Sequence, residues 1–258
     1  MGLVPPLAPQ AERPEVPSER AAAPPAPSRP TPLPPAPPPP RPTPPPKPSP
    51  PTVPAFTPPL DAIGAPPQEA VASAATLQEL ESRICGCLAC PLGSGRIRFV
   101  FGEGSPRARL MFIGEGPGRD EDLQGRPFVG KAGELLDKMI EAIKLKREDI
   151  YIANVVKCRP PDNRTPTPQE AQTCLRYLQR QIELIQPGVI VTLGATPLKE
   201  LLGISTGITK LRGQWQQLGT IPVMPTFHPA YVLRQYTQDV RRAVWADLVA
   251  AKTWLDEH

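Results

Sequence analysis

Four apolar runs, Leu110–Ile113, Ile150–Val156, Val189–Leu193 and Ile221–Thr226, have the length and continuity of strands buried on both faces. Between them the pattern changes to a helical spacing of three and four. Leu135, Leu136, Met139, Ile140 and Ile143 share one face of a helix predicted over Lys131–Ile143. Ala171, Cys174, Leu175, Leu178, Ile182 and Ile185 do the same over Thr167–Ile185. Upstream, Thr76 followed by Glu79 has capping-box spacing, with Leu77, Leu80 and Ile84 on one face of a short helix. Ile208–Gly219 fits a hairpin between the third and last core strands, and Asp239–Asp256 closes the chain as a helix. Strand-helix-strand alternation demands crossover connections, hence a parallel sheet covered on both faces. The expected fold class is α/β, a three-layer α/β/α arrangement around a central four-stranded parallel sheet, over residues 74–258.

Composition adds a second regime ahead of that domain. Of 41 prolines, 28 fall in residues 1–70 and 13 in the remainder. Proline removes backbone donors and fixes φ, so residues 1–70 are expected to be a disordered arm with polyproline II stretches. It reads as an extended spacer or as a ligand for a proline-reading domain, and nothing in it selects a partner. The arm carries five basic and five acidic side chains, so the net charge of +4 belongs to the domain. Such a mild excess permits a polyanionic partner without demanding one.

No stretch approaches the roughly 18 to 20 apolar residues of a spanning helix, which argues against a membrane protein. The first residues lack a basic segment followed by an apolar one, so a cytoplasmic location is expected. In that reducing setting five cysteines favour metal ligation or reactive thiols over disulfides. With only His228 and His258 in the chain, two-histidine zinc helices are excluded.

The distinctive segments all follow or end a predicted strand, where the ligand crevice of an open α/β sheet lies. Gly114-Glu115-Gly116-Pro117-Gly118 is either a tight strand-to-helix turn or a place where backbone meets ligand. Phe128, set between Gly125 and Gly130, is either core or a stacking platform for a flat ligand. Asn154, a polar amide at a strand end, either caps the strand or reads the donor-acceptor edge of a base. Lys157, Arg159 and Arg164 form either a solvated loop or a phosphate-holding one. His228, the one internal histidine, follows the last strand at this same end, which favours a functional role. Cys87-x2-Cys90, then Cys158 after 67 residues and Cys174 after 15 more, can surround one metal centre. Tetrahedral zinc, an iron-sulfur cluster and unligated buried thiols all remain open on spacing alone, and Cys85 is a spare thiol.

Together GEGPGRDEDLQGRPFVGKAG, NVVKCRPPDNRTP, TLGATP, HPAYVLR and the cysteine spacing closely resemble the family 4 uracil-DNA glycosylases over about residues 80–255. The resemblance implies a uracil-DNA glycosylase-like fold, a monofunctional base excision repair enzyme acting on uracil-containing DNA, and a monomer. It implies a structural [4Fe–4S] cluster held by Cys87, Cys90, Cys158 and Cys174. It places Gly114, Glu115 and Gly116 in a turn that holds backbone and water, with Gly116 where the more distant family 1 enzymes carry a water-activating Asp. It also implies Phe128 stacking on uracil, Asn154 on its Watson–Crick edge, Glu121 guarding C5 against a methyl group, and His228 near O2. Glu115, Asn154 and His228 are thus the expected catalytic residues, and Arg159, Arg164, Leu233 and Arg234 the expected DNA contacts. A family 5-type glycosylase of broader base specificity and a non-catalytic DNA-binding module on the same fold are the competing readings.

Overall fold

A computed structural model of the chain describes residues 64–258. The expectations for residues 1–63 of the arm lie outside the described residues. Six strands, β1 (Glu103–Gly104), β2 (Leu110–Gly114), β3 (Tyr151–Asn154), β4 (Val189–Leu193), β5 (Gln216–Leu218) and β6 (Ile221–Thr226), form one sheet in the order β1-β3-β2-β4-β6-β5. The four apolar runs are β2, β3, β4 and β6, and they pair in parallel. The sheet is nevertheless mixed and six-stranded, not four-stranded, because β1 and β5 add as antiparallel edges. Both edges are two or three residues long and only partly buried. Strands that short carry no periodic signal in the sequence, and they leave little edge for another chain to pair with.

The predicted hairpin also changes. Ile208–Leu211 is a helical turn, and the hairpin is instead made by β5 with β6.

The helices are α1 (Gln68–Ala72), α2 (Leu77–Ile84), α3 (Leu92–Gly95), α4 (Arg119–Gln124), α5 (Lys131–Ala142), α6 (Pro168–Ile185), α7 (Ala195–Leu202), α8 (Ile208–Leu211), α9 (Pro229–Arg234) and α10 (Gln238–Glu257). Alternate strand residues divide the core into two layers. Met111, Ile113, Tyr151, Ala153, Ile190 and Val223 pack with α2 and α6. Leu110, Phe112, Ile152, Val191 and Met224 pack with α5 and α10 on the other face. Burial on both faces is why these strands read as unbroken apolar runs.

Local signals explain the helix boundaries. Thr76 Oγ1 accepts the Glu79 N–H at 3.1 Å, while the Glu79 carboxylate accepts from Ala75 N one residue ahead of the cap. At α6, Thr167 and Glu170 form the full reciprocal box, with Pro168 in the first turn. Packed chain begins ahead of residue 74. Arg176, Arg83 and Arg180 donate to the carbonyls of Pro66, Ala70 and Ala74, and Val71 and Ala74 are buried. Three arginines therefore moor this segment to α2 and α6.

The chain passes from β2 outward to β3, then returns to the other side of β2 to lay down β4. A crevice outside the carboxyl ends of β2 and β4 follows from that reversal. The end of β6 is braced from below. Buried Asp247 of α10 accepts from Thr226 Oγ1 at 2.7 Å and pairs with Arg212, which holds the strand just before His228.

Candidate active site at the carboxyl ends of the strands

The crevice is a cleft of about 790 Å³ that collects side chains from the turns after β2, β3, β4 and β6. Glu115, Phe128, Asn154, Thr196 and His228 all line it. That is a large enough space for a base and its sugar, with Phe128 and Leu193 among many polar and charged lining groups.

Its floor is packed too tightly for any residue but glycine at 114. Gly114 and Asn154 are cross-strand neighbours, and a Cβ on Gly114 would collide with Asn154 Oδ1 and lie 2.6 and 2.8 Å from two Phe128 ring carbons. The Phe128 ring and the Asn154 amide therefore both close on the Gly114 backbone. The Phe128 backbone is held in the left-handed region, at φ 52°. It survives there because its surroundings fix it. Gly133 of α5 presses on the Phe128 carbonyl, where a Cβ could not fit. Glu121 supplies the other restraint. Its Oε1 accepts from Val129 N and Gly130 N at 2.9 and 3.0 Å, and its Oε2 accepts from Gly118 N at 3.1 Å. One carboxylate thus joins the glycine turn to the loop that carries the aromatic ring.

Asn154 is 2 % exposed, and its Oδ1 has no hydrogen-bond partner among the described residues. A buried amide oxygen left bare costs about 1–3 kcal/mol, so it marks a place where a donor is meant to arrive. Glu115 is half-buried, and its carboxylate accepts a short hydrogen bond from Thr196 Oγ1 at the start of α7. Thr196 lies in the TLGATP segment singled out by its position, yet its role is visible only once α7 brings it across to the β2 turn.

His228 caps α9. Its Nδ1 accepts the Ala230 N–H at 3.1 Å, which leaves the ring proton of the neutral form on Nε2. Burial pushes its pKa down to about 4, with the Arg234 charge adding to the effect and Glu121 opposing it. The imidazole is therefore a neutral donor at ordinary pH. Its ring centroid lies 5.6 Å from that of Phe128.

The loop after β3 separates its three basic residues. Lys157 is fully buried and cannot meet a phosphate, contrary to the solvated or phosphate-holding loop expected of it. Arg159 donates to Asn163 Oδ1 at 2.8 Å, and Arg164, at the cleft rim, makes a two-pronged pair with Glu170. Asp162 and Asn163 take positive φ in this loop, a conformation that suits their residue types. On α9, Val232 is buried while Leu233 is 40 % exposed, so Leu233 is surface and not core. Arg234 follows it at the cleft rim.

On the α6 face of the sheet, Cys87, Cys158 and Cys174 are buried and Cys90 is half-buried, whereas Cys85 is exposed. Donors converge on their sulfurs. Ala89 N lies 3.4 Å from Cys87 Sγ, Lys157 N 3.3 Å from Cys174 Sγ, and Arg96 Nη1 3.5 Å from Cys158 Sγ. Tyr177 Oη is 3.0 Å from Cys87 Sγ. Burial pushes the Cys90 thiol up and the Cys158 and Cys174 thiols up to about 11 and about 12, and neighbouring sulfurs add to each of these three shifts. Among the described residues, no three His, Cys, Asp or Glu side chains converge closely enough to grip a single ion. No described helix is long and apolar enough to cross a membrane.

Comparison with known proteins agrees with this geometry. Residues 101–249 match the family model of the uracil DNA glycosylase superfamily. The chain is 49 % identical over 183 residues to the type-4 uracil-DNA glycosylase of Thermotoga maritima, covering 69 % of this chain and 94 % of that protein. It is 43 % identical over 166 residues to the type-4 enzyme of Archaeoglobus fulgidus, covering 61 % and 83 %. Similarity to the type-5 uracil-DNA glycosylase of Pyrobaculum aerophilum is weaker, 29 % over 145 residues, covering 49 % and 63 %.

Proposed function

The chain belongs to the uracil-DNA glycosylase superfamily and, within it, to the type-4 uracil-DNA glycosylases, and on that premise we propose how its cleft excises uracil from DNA in repair. The observation that carries the reading is the buried, unpartnered Asn154 Oδ1 beside the Phe128 ring.

A base in a duplex is out of reach, so the nucleotide is first flipped into the cleft, at a cost of a few kcal/mol. Phe128 stacks on the base. Asn154 Oδ1 accepts from uracil N3–H while its amide donates to O4. Cytosine presents the opposite pattern at both positions and is refused. Glu121 holds the Phe128 loop against the glycine turn at the wall that excludes a C5 methyl group.

As the C1′–N1 bond breaks, its electron pair moves onto uracil and the sugar becomes positive. Neutral His228 donates through Nε2–H to O2, where that negative charge accumulates, and so favours the transition state over the ground state. A water held by Gly116 and the Glu115 carboxylate, itself oriented by Thr196, adds to C1′. The proton that water sheds balances the one uracil takes up. The products are free uracil and an abasic site, without strand scission.

Arg159, Arg164 and Arg234 hold the phosphates of the flanking strand, and Leu233 enters the space the nucleotide vacates. Cys87, Cys90, Cys158 and Cys174 fit a [4Fe–4S] cluster. They are four buried or half-buried thiols with N–H and guanidinium donors aimed at sulfur. When bound, that cluster ties the Cys87–Cys90 segment to the sheet and takes no part in bond cleavage. The protein is proposed to act in the cytoplasm as a monomer, with its catalytic domain at 74–258 preceded by a segment from Pro66 that packs against α2 and α6.

The test is single-turnover excision on oligonucleotides carrying one uracil, single-stranded and opposite guanine, with strand breaks read before and after alkali. Breaks only after alkali are expected. Breaks before alkali would refute the monofunctional mechanism, and release of hypoxanthine at a comparable rate would favour type-5 behaviour.

A further inference from the structure

Lys157 stands three residues after Asn154 and one before Cys158, and it is 0 % exposed. A buried ammonium is costly unless paired. Its Nζ donates to two neutral oxygens, the Asn154 carbonyl at 2.9 Å and Gln181 Oε1 at 2.6 Å. Gln181, also 0 % exposed, is fixed in turn through Nε2 to the Phe101 carbonyl at 3.0 Å and Tyr151 Oη at 3.2 Å.

The backbone of Lys157 is tied to the same centre. Its N–H points at Cys174 Sγ, and its carbonyl accepts from Val100 N at 2.9 Å. On the cleft side, Val155 N and Val156 N donate to the Gly114 and Glu115 carbonyls at 2.9 and 3.1 Å. The end of β3 is therefore gripped between the glycine turn in front and Lys157 behind. The Asn154 carbonyl is the atom that Lys157 holds, and the Asn154 side chain is the one with the bare oxygen in the cleft.

We propose that Lys157 is a positioning residue that couples the cysteine centre to the uracil-reading amide. Its ammonium offsets the negative charge of four thiolates and the cluster they hold. Its bond to the Asn154 carbonyl fixes the end of β3 so that Oδ1 and Nδ2 meet N3–H and O4. Lys157 touches neither the base nor the reacting atoms. A structural cluster thereby gains a route to substrate recognition through an ordinary hydrogen bond. It rests on the reading of Asn154 as the base-reading residue and of the four cysteines as cluster ligands.

The test compares wild type with Lys157→Met, which keeps an unbranched apolar stem, and with Gln181→Met, which keeps the ammonium but removes its far anchor. Four quantities are measured on the iron-loaded proteins: iron per chain, the reduction potential of the cluster, inhibition of excision by free uracil, and DNA affinity. Removing a nearby cation disfavours the more negative reduced state, so Lys157→Met should lower the potential. It should also weaken uracil inhibition on the order of 10- to 100-fold, as other outer-shell losses do, with DNA affinity unchanged. Gln181→Met should weaken uracil inhibition while leaving the potential near that of wild type. Unchanged uracil inhibition in iron-loaded Lys157→Met overturns the proposal, as does an unchanged potential. If Lys157→Met does not retain iron, Gln181→Met decides, and wild-type uracil inhibition in it overturns the proposal. Wild-type protein that holds no iron, or that free uracil does not inhibit, would instead refute the parent reading.

Discussion

Replacing Gly114 with alanine tests the cleft floor without deleting any group assigned to catalysis. The added Cβ would collide with Asn154 Oδ1 and stand 2.6 Å from a Phe128 ring carbon, where ordinary contact begins at 3.4 Å, so the ring must retreat by about 0.8 Å. It cannot retreat by moving its backbone. Gly133 closes on the Phe128 carbonyl, and Glu121 holds Val129 N and Gly130 N. The ring and the amide must therefore shift within the cleft. A displacement near 1 Å at a positioning group costs on the order of 10²-fold in rate. Overpacking of this kind also costs about 1–3 kcal/mol of stability, which in a domain of this size lowers Tm by roughly 2–12 °C. The assay is single-turnover excision from a single-stranded uracil oligonucleotide, with DNA affinity and thermal unfolding measured in parallel. The expected result is a large rate loss with intact DNA affinity and a folded protein. An excision rate within about twofold of wild type would refute the claim that Gly114, Phe128 and Asn154 form one tightly packed unit.

His228→Ala should lower kcat on the order of 10²–10³-fold with little change in DNA affinity, and a loss confined to affinity would make His228 a DNA-positioning residue. The same ring contributes to pH dependence. Unfolded imidazole takes up a proton as pH falls through about 6.5, but the folded ring resists until about 4, so its contribution to stability, complete above 6.5, declines by up to about 3 kcal/mol between those values. Burial sets the lower limit of that window, with Arg234 extending it and Glu121 opposing. The stability gap between wild type and His228→Gln should narrow on acidification from about pH 7.5 to about pH 4.5, and a constant gap would contradict the depressed pKa. Asn154→Asp keeps an acceptor for N3–H but loses the donor to O4, so the ratio of uracil to cytosine excision should fall by about 1–3 kcal/mol, and an unchanged ratio would remove Asn154 from base reading. Arg159→Ala should reduce the salt slope of DNA binding by about one without altering single-turnover chemistry, and an unchanged slope would assign Arg159 to its bond with Asn163. Cys174→Ser should lose iron and lower Tm, Cys85→Ser should do neither, and full iron in Cys174→Ser would exclude Cys174 as a ligand.

The sequence alone determined the parts of this protein whose physical cause is local or periodic. Strands buried on both faces appear as unbroken apolar runs, and so β2, β3, β4 and β6 could be placed to within a few residues. Longer helices such as α5 and α6 declared themselves through the three-and-four spacing of their apolar residues, and the short α2 through its Thr76–Glu79 cap. Distinctive polar residues at strand ends, Asn154 and His228 above all, could be placed at one end of the sheet because a parallel sheet puts every strand's carboxyl end on the same side.

What tertiary structure decided were the interactions that join segments far apart in the chain. The edges β1 and β5 are too short to show a period and exist only because β3 and β6 offer them pairing. Lys157, a surface residue by composition, is buried because Gln181 and the Asn154 carbonyl satisfy it across 24 and three residues of sequence. Glu121 has its oxygens engaged by three backbone N–H groups of the turn and the Phe128 loop, and Thr196 meets Glu115 across 81 residues. Such contacts leave no trace in hydrophobic periodicity, because each depends on where the fold happens to bring one polar atom against another.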